Sequence, residues 1–227
     1  MIRTILTAAA IAASVSAASA ATRPIVVELF TSQGCSSCPP ADALLEELAT
    51  RPNILALGFH VDYWDRLGWK DPLSGEGSTE RQRAYARQFH TGEVYTPQMV
   101  VNGTREAVGS DRGAVLSALG SATTDAAVTV TFAADAKSVE IGAGSGAGRI
   151  ILANFVLKRS NPIGRGENAG HVATDVNGVK TLRTLGDWNV AATRFDIDAP
   201  GPNEGVAVLI QSDDGKVLGA GAIEIPG

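Results

Sequence analysis

The stretch Glu28-Leu29-Phe30-Thr31-Ser32-Gln33-Gly34-Cys35-Ser36-Ser37-Cys38-Pro39-Pro40 places the two cysteines of the chain three residues apart. It follows an apolar run, residues 25–30, that has the length of a buried β-strand, and a helical pattern begins just beyond it. A sulfur between a strand and a helix lies beside unpaired backbone N–H groups and the positive end of the helix dipole, which favours the thiolate. We therefore expect Cys35 to be the more exposed, attacking thiol and Cys38 to resolve the mixed disulfide.

Two other interpretations of the cysteine pair are a structural staple and a metal site. A bridge between Cys35 and Cys38 closes a very short loop, so it removes little conformational freedom from the unfolded chain. Structural zinc takes about four ligands, and the chain has only 2 cysteines. A soft-metal site for copper, Cu(I), with a third ligand from His60 or His171, stays open as an alternative.

The composition is that of a mildly acidic globular protein. The chain has 227 residues, 44% of them hydrophobic, and a formal net charge of −5. This length suffices for one large or two modest domains, and two is the better expectation. Because no run of like charges occurs, the sequence predicts no nucleic-acid partner and no anionic-membrane partner.

Residues 1–20 have the pattern of a secretory signal peptide. Arg3 supplies the positive start, residues 5–15 a short apolar core, and Ala18-Ser19-Ala20 a small-residue cleavage site. The core is short and rich in alanine, whereas a spanning helix needs roughly 20 strongly apolar residues. We expect a mature protein that is periplasmic or secreted, without a membrane anchor. In an oxidising compartment an isolated Cys-x-x-Cys indicates redox chemistry.

The elements after the cysteines direct polar side chains toward them. Apolar residues at helical spacing over residues 41–48 predict a helix, and residues 54–61 predict a second buried strand. His60, Asp62 and Trp64 come at the end of that strand. Since chemistry gathers at the carboxyl ends of parallel strands, His60 or Asp62 is a candidate for moving protons to or from a thiol, and Trp64 for a peptide-binding rim. Ordinary core packing is the alternative for all three.

A polar helix is predicted next. Thr79 and Gln82 have the spacing of a capping box, so this helix is expected to start at Thr79 and to stop at residues 91–92. Its cluster of arginines is interpreted as a solvated helix face: Arg81, Arg83 and Arg87.

A proline, a hairpin and a third helix complete this half of the chain. Pro97 opens a β-like run that leads to Asn102-Gly103, a strong signal for a hairpin turn. The third helix is predicted from a cap at Ser110 to about Leu119.

The order strand, dithiol, helix, strand, helix, Thr-Pro, hairpin and helix resembles the thioredoxin fold over residues 23–121. Cys35, Cys38 and Pro97 match three signature positions of that fold. The quoted cysteine stretch, His-Val-Asp-Tyr-Trp-Asp and Tyr-Thr-Pro-Gln also resemble an uncharacterised family of exported bacterial proteins with a thioredoxin-like domain. The resemblance implies a cis bond between Thr96 and Pro97 that faces the dithiol, with the backbone of Thr96 contacting the substrate.

The second half of the chain has β-like runs and no helical pattern. The runs cover residues 128–132, 150–157 and 206–210, and Asn177-Gly178 and Asp214-Gly215 are predicted to be hairpin turns.

The predicted fold class is an α/β thioredoxin-like domain followed by a small antiparallel β-sandwich-like domain. The boundaries are residues 21–121 for the first domain and residues 122–227 for the second. Within the second, the polar stretch Arg165-Gly166-Glu167-Asn168-Ala169-Gly170-His171 reads either as a surface loop or as a loop that leans over the dithiol and limits access to Cys35.

Three functions follow from these patterns. The first is a thiol–disulfide oxidoreductase that uses Cys35 and Cys38 with Thr96 and Pro97, needs no cofactor, and acts on protein thiols or disulfides together with a redox partner protein. The second is a periplasmic copper-handling protein that binds the metal through the dithiol and a histidine, His60 or His171. The third is a binding module whose dithiol acts only as a redox sensor.

Overall fold

A computed structural model describes residues 21–227. The predicted signal peptide, residues 1–20, lies outside this range. Among the described residues, no helix is both long enough and apolar enough to cross a membrane.

The described chain contains strands throughout and helices only in its first half. The elements in order are β1 (Ile25–Thr31), α1 (Pro39–Ala49), β2 (Ile54–His60), α2 (Glu76–Phe89), β3 (Gln98–Val101), β4 (Arg105–Val108), α3 (Arg112–Gly120), β5 (Val130–Phe132), β6 (Ser138–Ile141), β7 (Ala147–Pro162), β8 (Val172–Asn189), β9 (Thr193–Asp196), β10 (Glu204–Gln211) and β11 (Val217–Ile225). A short 3₁₀ turn covers Asp65–Leu67.

Eight of the strands form one mixed sheet in the order β11-β10-β7-β8-β2-β1-β3-β4. The pairs β1–β2 and β2–β8 are parallel, and the other neighbours in this sheet are antiparallel. The remaining strands form a small antiparallel sheet in the order β5-β6-β9.

The predicted fold class, a thioredoxin-like α/β domain followed by a separate β-sandwich, is wrong. Strands from both halves of the chain share the eight-stranded sheet, because β8 pairs with β2. Strands dominate the described range, which has only three α-helices. The second half therefore extends the first sheet rather than closing on itself. The domain boundary at residue 121 stays a prediction.

The junction between the two halves lies at Asn177-Gly178, where the sequence predicted a hairpin turn. That prediction is wrong: both residues lie inside β8, and Gly178 is the partner of Gly58 in β2. Asn177 has a φ of 49°, and its side-chain Nδ2 donates to the backbone oxygen of Ala56 at 2.9 Å. A Cβ at residue 178 would lie 2.6 Å from Cδ1 of Leu73, so any larger residue there would force the Leu73 side chain to move.

Three apolar clusters hold the layers together. One face of the sheet buries Val27 and Leu29 against α1 and α3, whereas the other face buries Phe30 and Phe59 beside Tyr85 of α2. A third cluster, which includes Trp188, fills the space between the small sheet and strands β7 and β10. Because successive strand residues point to opposite faces, β1 contributes to two of these clusters and is buried along its whole length.

The local predictions for the first half are confirmed for β1, α1, β2 and the Asn102-Gly103 hairpin. The capping-box prediction is wrong because α2 begins at Glu76 and Thr79 lies within it. The hydroxyl of Thr79 instead donates to Oδ1 of Asp62 at 2.6 Å. The cap of α3 is Asp111, not Ser110, since its carboxylate accepts from the backbone N–H of Ala114.

Candidate functional site

The two cysteines form a disulfide in the turn between β1 and α1. Their Cα atoms lie 5.5 Å apart, and Cys38 is the N-cap residue of α1. The backbone N–H of Cys38 donates to the carbonyl of Cys35 at 3.2 Å, which closes the turn. The helix therefore begins directly after the second cysteine.

The first two residues of α1 are prolines, and this changes the electrostatic argument made from the sequence. Pro39 and Pro40 have no backbone N–H, so two of the four free donors that normally mark a helix N-terminus are missing. The next two N–H groups, of Ala41 and Asp42, both donate to the carbonyl of Cys38. Hydrogen bonds to the sulfur of Cys35 must therefore come from other residues.

Thr96 and Ser37 supply those contacts. The hydroxyl Oγ1 of Thr96 lies 3.3 Å from Sγ of Cys35, and Oγ of Ser37 lies 3.2 Å from it. The backbone oxygen of Thr96 is 3.9 Å from the same sulfur. The Thr96–Pro97 bond is cis, so both the predicted isomer and its position against the cysteine turn are confirmed.

Trp64 fixes the direction of the Thr96 hydroxyl. The indole Nε1–H, which can only donate, lies 2.8 Å from Oγ1 of Thr96. The threonine oxygen therefore accepts from Trp64, and its own proton is free to point toward the sulfur of Cys35. Trp64 therefore contacts Thr96, which in turn contacts the sulfur of Cys35. The peptide-binding rim at Trp64 stays a prediction.

We expect Thr96→Val to make Cys35 less reactive in the reduced protein, because the isosteric side chain cannot donate to a thiolate. A hydrogen bond to a charged group contributes roughly 1.5–3 kcal/mol, so alkylation of Cys35 near neutral pH should slow by about tenfold, and its pH profile should move to higher pH. Thr104→Val, at an exposed hairpin position, is the matched control. An unchanged profile in Thr96→Val would show that the Thr96 hydroxyl does not stabilise the Cys35 thiolate.

The loop that joins β7 to β8, residues 163–171, lies against the backbone of the cysteine turn. Nδ2 of Asn168 donates to the backbone oxygens of Gln33 and Cys35, both at 2.9 Å, and Oε2 of Glu167 accepts from the backbone N–H of Ser36 at 3.1 Å. Both cysteines are 0% exposed. The expectation that Cys35 is the more exposed cysteine is therefore wrong for this disulfide form. Of the two readings of the stretch 165–171, the one in which it leans over the dithiol is confirmed.

Gln33, two residues before Cys35, connects this loop to a group of buried charges. Its Nε2 donates to Oδ2 of Asp175 at 2.7 Å and to Oδ1 of Asn161 at 3.0 Å. Its backbone N–H donates to Oδ2 of Asp71 at 2.8 Å. The conformation just before the cysteines thus depends on carboxylates from two distant parts of the chain.

His60 lies between those two carboxylates. Its Nδ1 is 2.7 Å from Oδ2 of Asp71, and its Nε2 is 3.8 Å from Oδ1 of Asp175. Burial opposes the charged ring, but Asp71 and then Asp175 outweigh it and raise the pKa of His60 to about 9. His60 is therefore a buried imidazolium at neutral pH. No hydrogen bond among residues 21–227 joins it to either sulfur.

A cavity of about 470 Å³ adjoins the cysteine turn between α1 and the start of β8. Its polar lining includes Ser36, Asp42, His171 and Asp175. Asp42 accepts from Oγ1 of Thr31 at 2.7 Å, and burial raises the pKa of Asp42 to about 7. A carboxyl group that titrates near neutral pH therefore lies on α1, one helical turn beyond Cys38.

The structure brings together some of the predicted site residues and separates others. Cys35, Cys38, Thr96, Pro97 and Trp64 form one contact group, whereas Asp62 binds Thr79 of α2 and His60 binds two carboxylates. The ligand set predicted for copper, both sulfurs with His60, is not assembled, because both ring nitrogens of His60 face Asp71 and Asp175. His171 lies in the wall of the cavity beside the turn.

Sequence reasoning missed the residues that support the turn from a distance. They are Gln33, Asp42, Asp71, Asn161 and Asp175. Gln33 and Asp42 were visible as polar residues next to the cysteines. Asp175 lies two residues before the predicted Asn177-Gly178 turn, and nothing in the local pattern singled it out.

Comparison with known proteins places the chain in a family. The family model described as "Protein of unknown function (DUF1223)" matches residues 26–211, and the chain therefore belongs to this family. The crystal structure of protein AGR_C_4864 from Agrobacterium tumefaciens is similar, with 31% sequence identity, a TM-score of 0.69, and coverage of 90% of this chain and 96% of that one.

A more distant solved structure, HBP35 of Porphyromonas gingivalis, shares the fold at 12% identity. Its TM-score is 0.52, and the match covers 90% of this chain and 76% of that chain. No curated protein matches the sequence.

Proposed function

We propose that this member of the DUF1223 family is an exported thiol–disulfide oxidoreductase whose redox centre is the Cys35–Cys38 pair. The observation that supports this most is the environment of Cys35, whose sulfur lies within 3.3 Å of two hydroxyl oxygens, those of Thr96 and Ser37. A hydroxyl that donates to the sulfur, as that of Thr96 does, stabilises a thiolate, the form of cysteine that attacks disulfides. Cys38 has no comparable contact among the described residues.

The proposed reaction is a pair of thiol–disulfide exchanges. The thiolate of Cys35 attacks one sulfur of a substrate disulfide, an S–S bond forms between them, and the other substrate sulfur leaves as a thiolate that takes a proton from water. Cys38, deprotonated, then attacks Sγ of Cys35 and releases the second substrate thiolate. The substrate disulfide gains two electrons and two protons, and the protein dithiol loses them. The reverse sequence oxidises a substrate dithiol.

Protein thiols or disulfides are the proposed substrates, with a second redox protein that restores the starting state. The backbone oxygen of Thr96, 3.9 Å from the sulfur of Cys35, accepts from Oγ of Ser37 at 3.4 Å and has a second lone pair for an extended substrate segment. The neighbouring cavity of about 470 Å³ offers room for one substrate side chain. Both cysteines are 0% exposed in the disulfide form, so access to either sulfur requires a movement of the residues around the turn, and the loop 163–171, bound to its backbone, is one of these segments.

Copper handling has weaker support than redox exchange. The sequence predicted His60 or His171 as the third copper ligand, but Nδ1 of His60 lies 2.7 Å from Oδ2 of Asp71. Thiol–disulfide exchange, in contrast, needs only the two sulfurs and proton transfer with water, so it requires no cofactor.

The decisive experiment is catalysis of insulin reduction by dithiothreitol, with the chain from residue 21 onward. The wild type should accelerate precipitation of the insulin B chain at least about tenfold over a Cys35→Ser, Cys38→Ser double variant. Equilibration with glutathione buffers then gives the reduction potential of the pair, which separates a reductant from an oxidant. A pair that exchanges with neither insulin nor glutathione would exclude the proposed activity.

A further inference from the structure

A second cleft, which shares no lining residue with the dithiol site, lies between α2 and the strands β7, β8 and β10. Its volume is about 910 Å³. Helix α2 forms one wall, and the exposed ends of the strands and the β10–β11 turn form the other. We call it the arginine groove after the residues that line it: Arg81, Arg83, Arg87, Arg149 and Arg183.

The charge of the arginine groove is opposite to that of the whole protein. Its lining holds five arginines and two carboxylates, those of Glu80 and Asp213, whereas the chain has a net charge of −5. The exposed arginines, at residues 83, 87, 149 and 183, form no salt bridge among residues 21–227. They are positioned by three different elements, so their convergence is a property of the fold rather than of one charged segment.

Arg81 belongs to a buried network at the inner wall of the groove. Its guanidinium makes a bidentate ion pair with the fully buried Glu28, through Nε to Oε2 and through Nη2 to Oε1 at 2.9 Å. Nη2 also donates to the hydroxyl of Tyr85 at 3.1 Å, and Nη1 donates to Oε1 of Gln211 at 3.1 Å. These bonds use four of the five guanidinium N–H donors. One N–H of Nη1 is left without an acceptor in the described part of the chain.

Stability alone is a poor explanation for this arrangement. Replacing a buried ion pair by apolar residues is often neutral or stabilising, so a pair such as Glu28–Arg81 is weak evidence for a structural role. Arg83 and Arg87 also stand at i and i+4 on α2, where like charges destabilise a helix. An anion between the exposed arginines would offset the repulsion between Arg83 and Arg87.

We propose that the arginine groove binds a small ligand with two or more anionic groups, phosphate or carboxylate. The planar guanidinium fork of an exposed arginine matches the oxygens of either group bidentately. Arg81 at the inner wall adds its one unused Nη1 N–H, held in a fixed orientation by the bonds to Glu28, Tyr85 and Gln211. Arg87 of α2 and Arg183 of β8 lie on opposite walls. A ligand with two separated anionic groups could therefore reach across the groove and contact both. This site is independent of the redox activity proposed above.

Isothermal titration of the protein with inorganic pyrophosphate, and separately with citrate, tests the proposal. Titrations at low ionic strength and at about 150 mM salt establish the electrostatic component, which weakens as salt screens the charges. One equivalent of at least one probe should bind. Tighter binding of pyrophosphate identifies a phosphorylated ligand, and tighter binding of citrate identifies a polycarboxylate.

The variant that decides the matter is Arg87→Gln with Arg183→Gln, which removes one exposed arginine from each wall and leaves the buried pair intact. It should bind at least tenfold more weakly, whereas the control Arg105→Gln, an exposed arginine of β4 outside the groove, should bind within about twofold of the wild type. Circular dichroism verifies that each variant is folded. Absence of binding by both probes, or an equal loss in Arg105→Gln, would overturn the proposal.

Discussion

Cys38→Ser is expected to accumulate a stable mixed disulfide through Cys35, whereas Cys35→Ser is expected to accumulate at least tenfold less. The prediction follows from the asymmetry of the two sulfurs. Cys35 has the Thr96 hydroxyl as a donor to its sulfur and the Ser37 hydroxyl 3.2 Å away, whereas Cys38 begins a helix whose first two residues are prolines without an N–H. Without Cys38, no thiol is present to release the adduct.

The adduct is measured by incubating each reduced variant with an excess of oxidised glutathione, followed by intact-mass spectrometry under non-reducing conditions. The two single variants serve as controls for each other, because each retains one sulfur of the same turn. Equal adduct yields would show that the surroundings of Cys35 do not make it the attacking thiol. A larger yield in Cys35→Ser would make Cys38 the attacking thiol and Cys35 the resolving one.

His60→Asn is expected to destabilise the protein by about 3–5 kcal/mol, the cost of leaving buried carboxylates without their cation. The ring of His60 separates Asp71 from Asp175, at 2.7 Å and 3.8 Å. The effect on thermal unfolding should be a fall in Tm of roughly 10 °C or more for a chain of this size. His90→Asn is the matched control, since His90 is exposed and has a φ of 55°, a conformation that asparagine tolerates.

The same contacts predict how stability depends on pH. The pKa of His60 rises from 6.5 to about 9 on folding, so its contribution is complete below pH 6.5 and is lost as pH rises through 9. A shift of this size corresponds to roughly 3 kcal/mol. The raised pKa of Asp42, about 7 against 3.8, acts in the same direction over a lower range.

We therefore expect the Tm of the wild type to fall between pH 6.5 and pH 9, and the fall to be much smaller in His60→Asn. His90→Asn should retain the fall of the wild type. Differential scanning calorimetry of the oxidised forms at matched ionic strength measures both. A wild-type Tm that is constant or rises over this range would contradict a buried, charged His60.

The parts of the site that lie close together in the chain were predictable from the sequence. The strand, cysteine turn and helix over residues 25–49 follow from apolar periodicity, and the position of Pro97 pointed to a cis bond opposite the cysteines. Each of these signals is local, or depends on an order of elements that many proteins share. These local predictions are therefore confirmed although the predicted fold class is wrong.

The prediction failed where the structure depends on pairing between distant strands. Asn177-Gly178 has the composition of a hairpin turn. It lies inside a continuous strand instead, because Gly178 pairs with Gly58 of β2. His60, Asp71 and Asp175 likewise belong to three segments with no common pattern. Tertiary contacts, not local propensity, determine both features.

The loop over the cysteines has a kinetic consequence. Asn168 already occupies the backbone oxygen of Cys35, at 2.9 Å, so a substrate that approaches this turn competes with a tethered group of the same molecule. A tethered competitor acts at a high effective concentration, typically millimolar for short connections. In the proposed enzyme, weak encounters with unrelated disulfides would then be rejected, and exchange would be reserved for partners that bind long enough to displace Asn168 from this turn. The selectivity of the proposed enzyme would thus reside in the second half of the chain, although both sulfurs lie in the first.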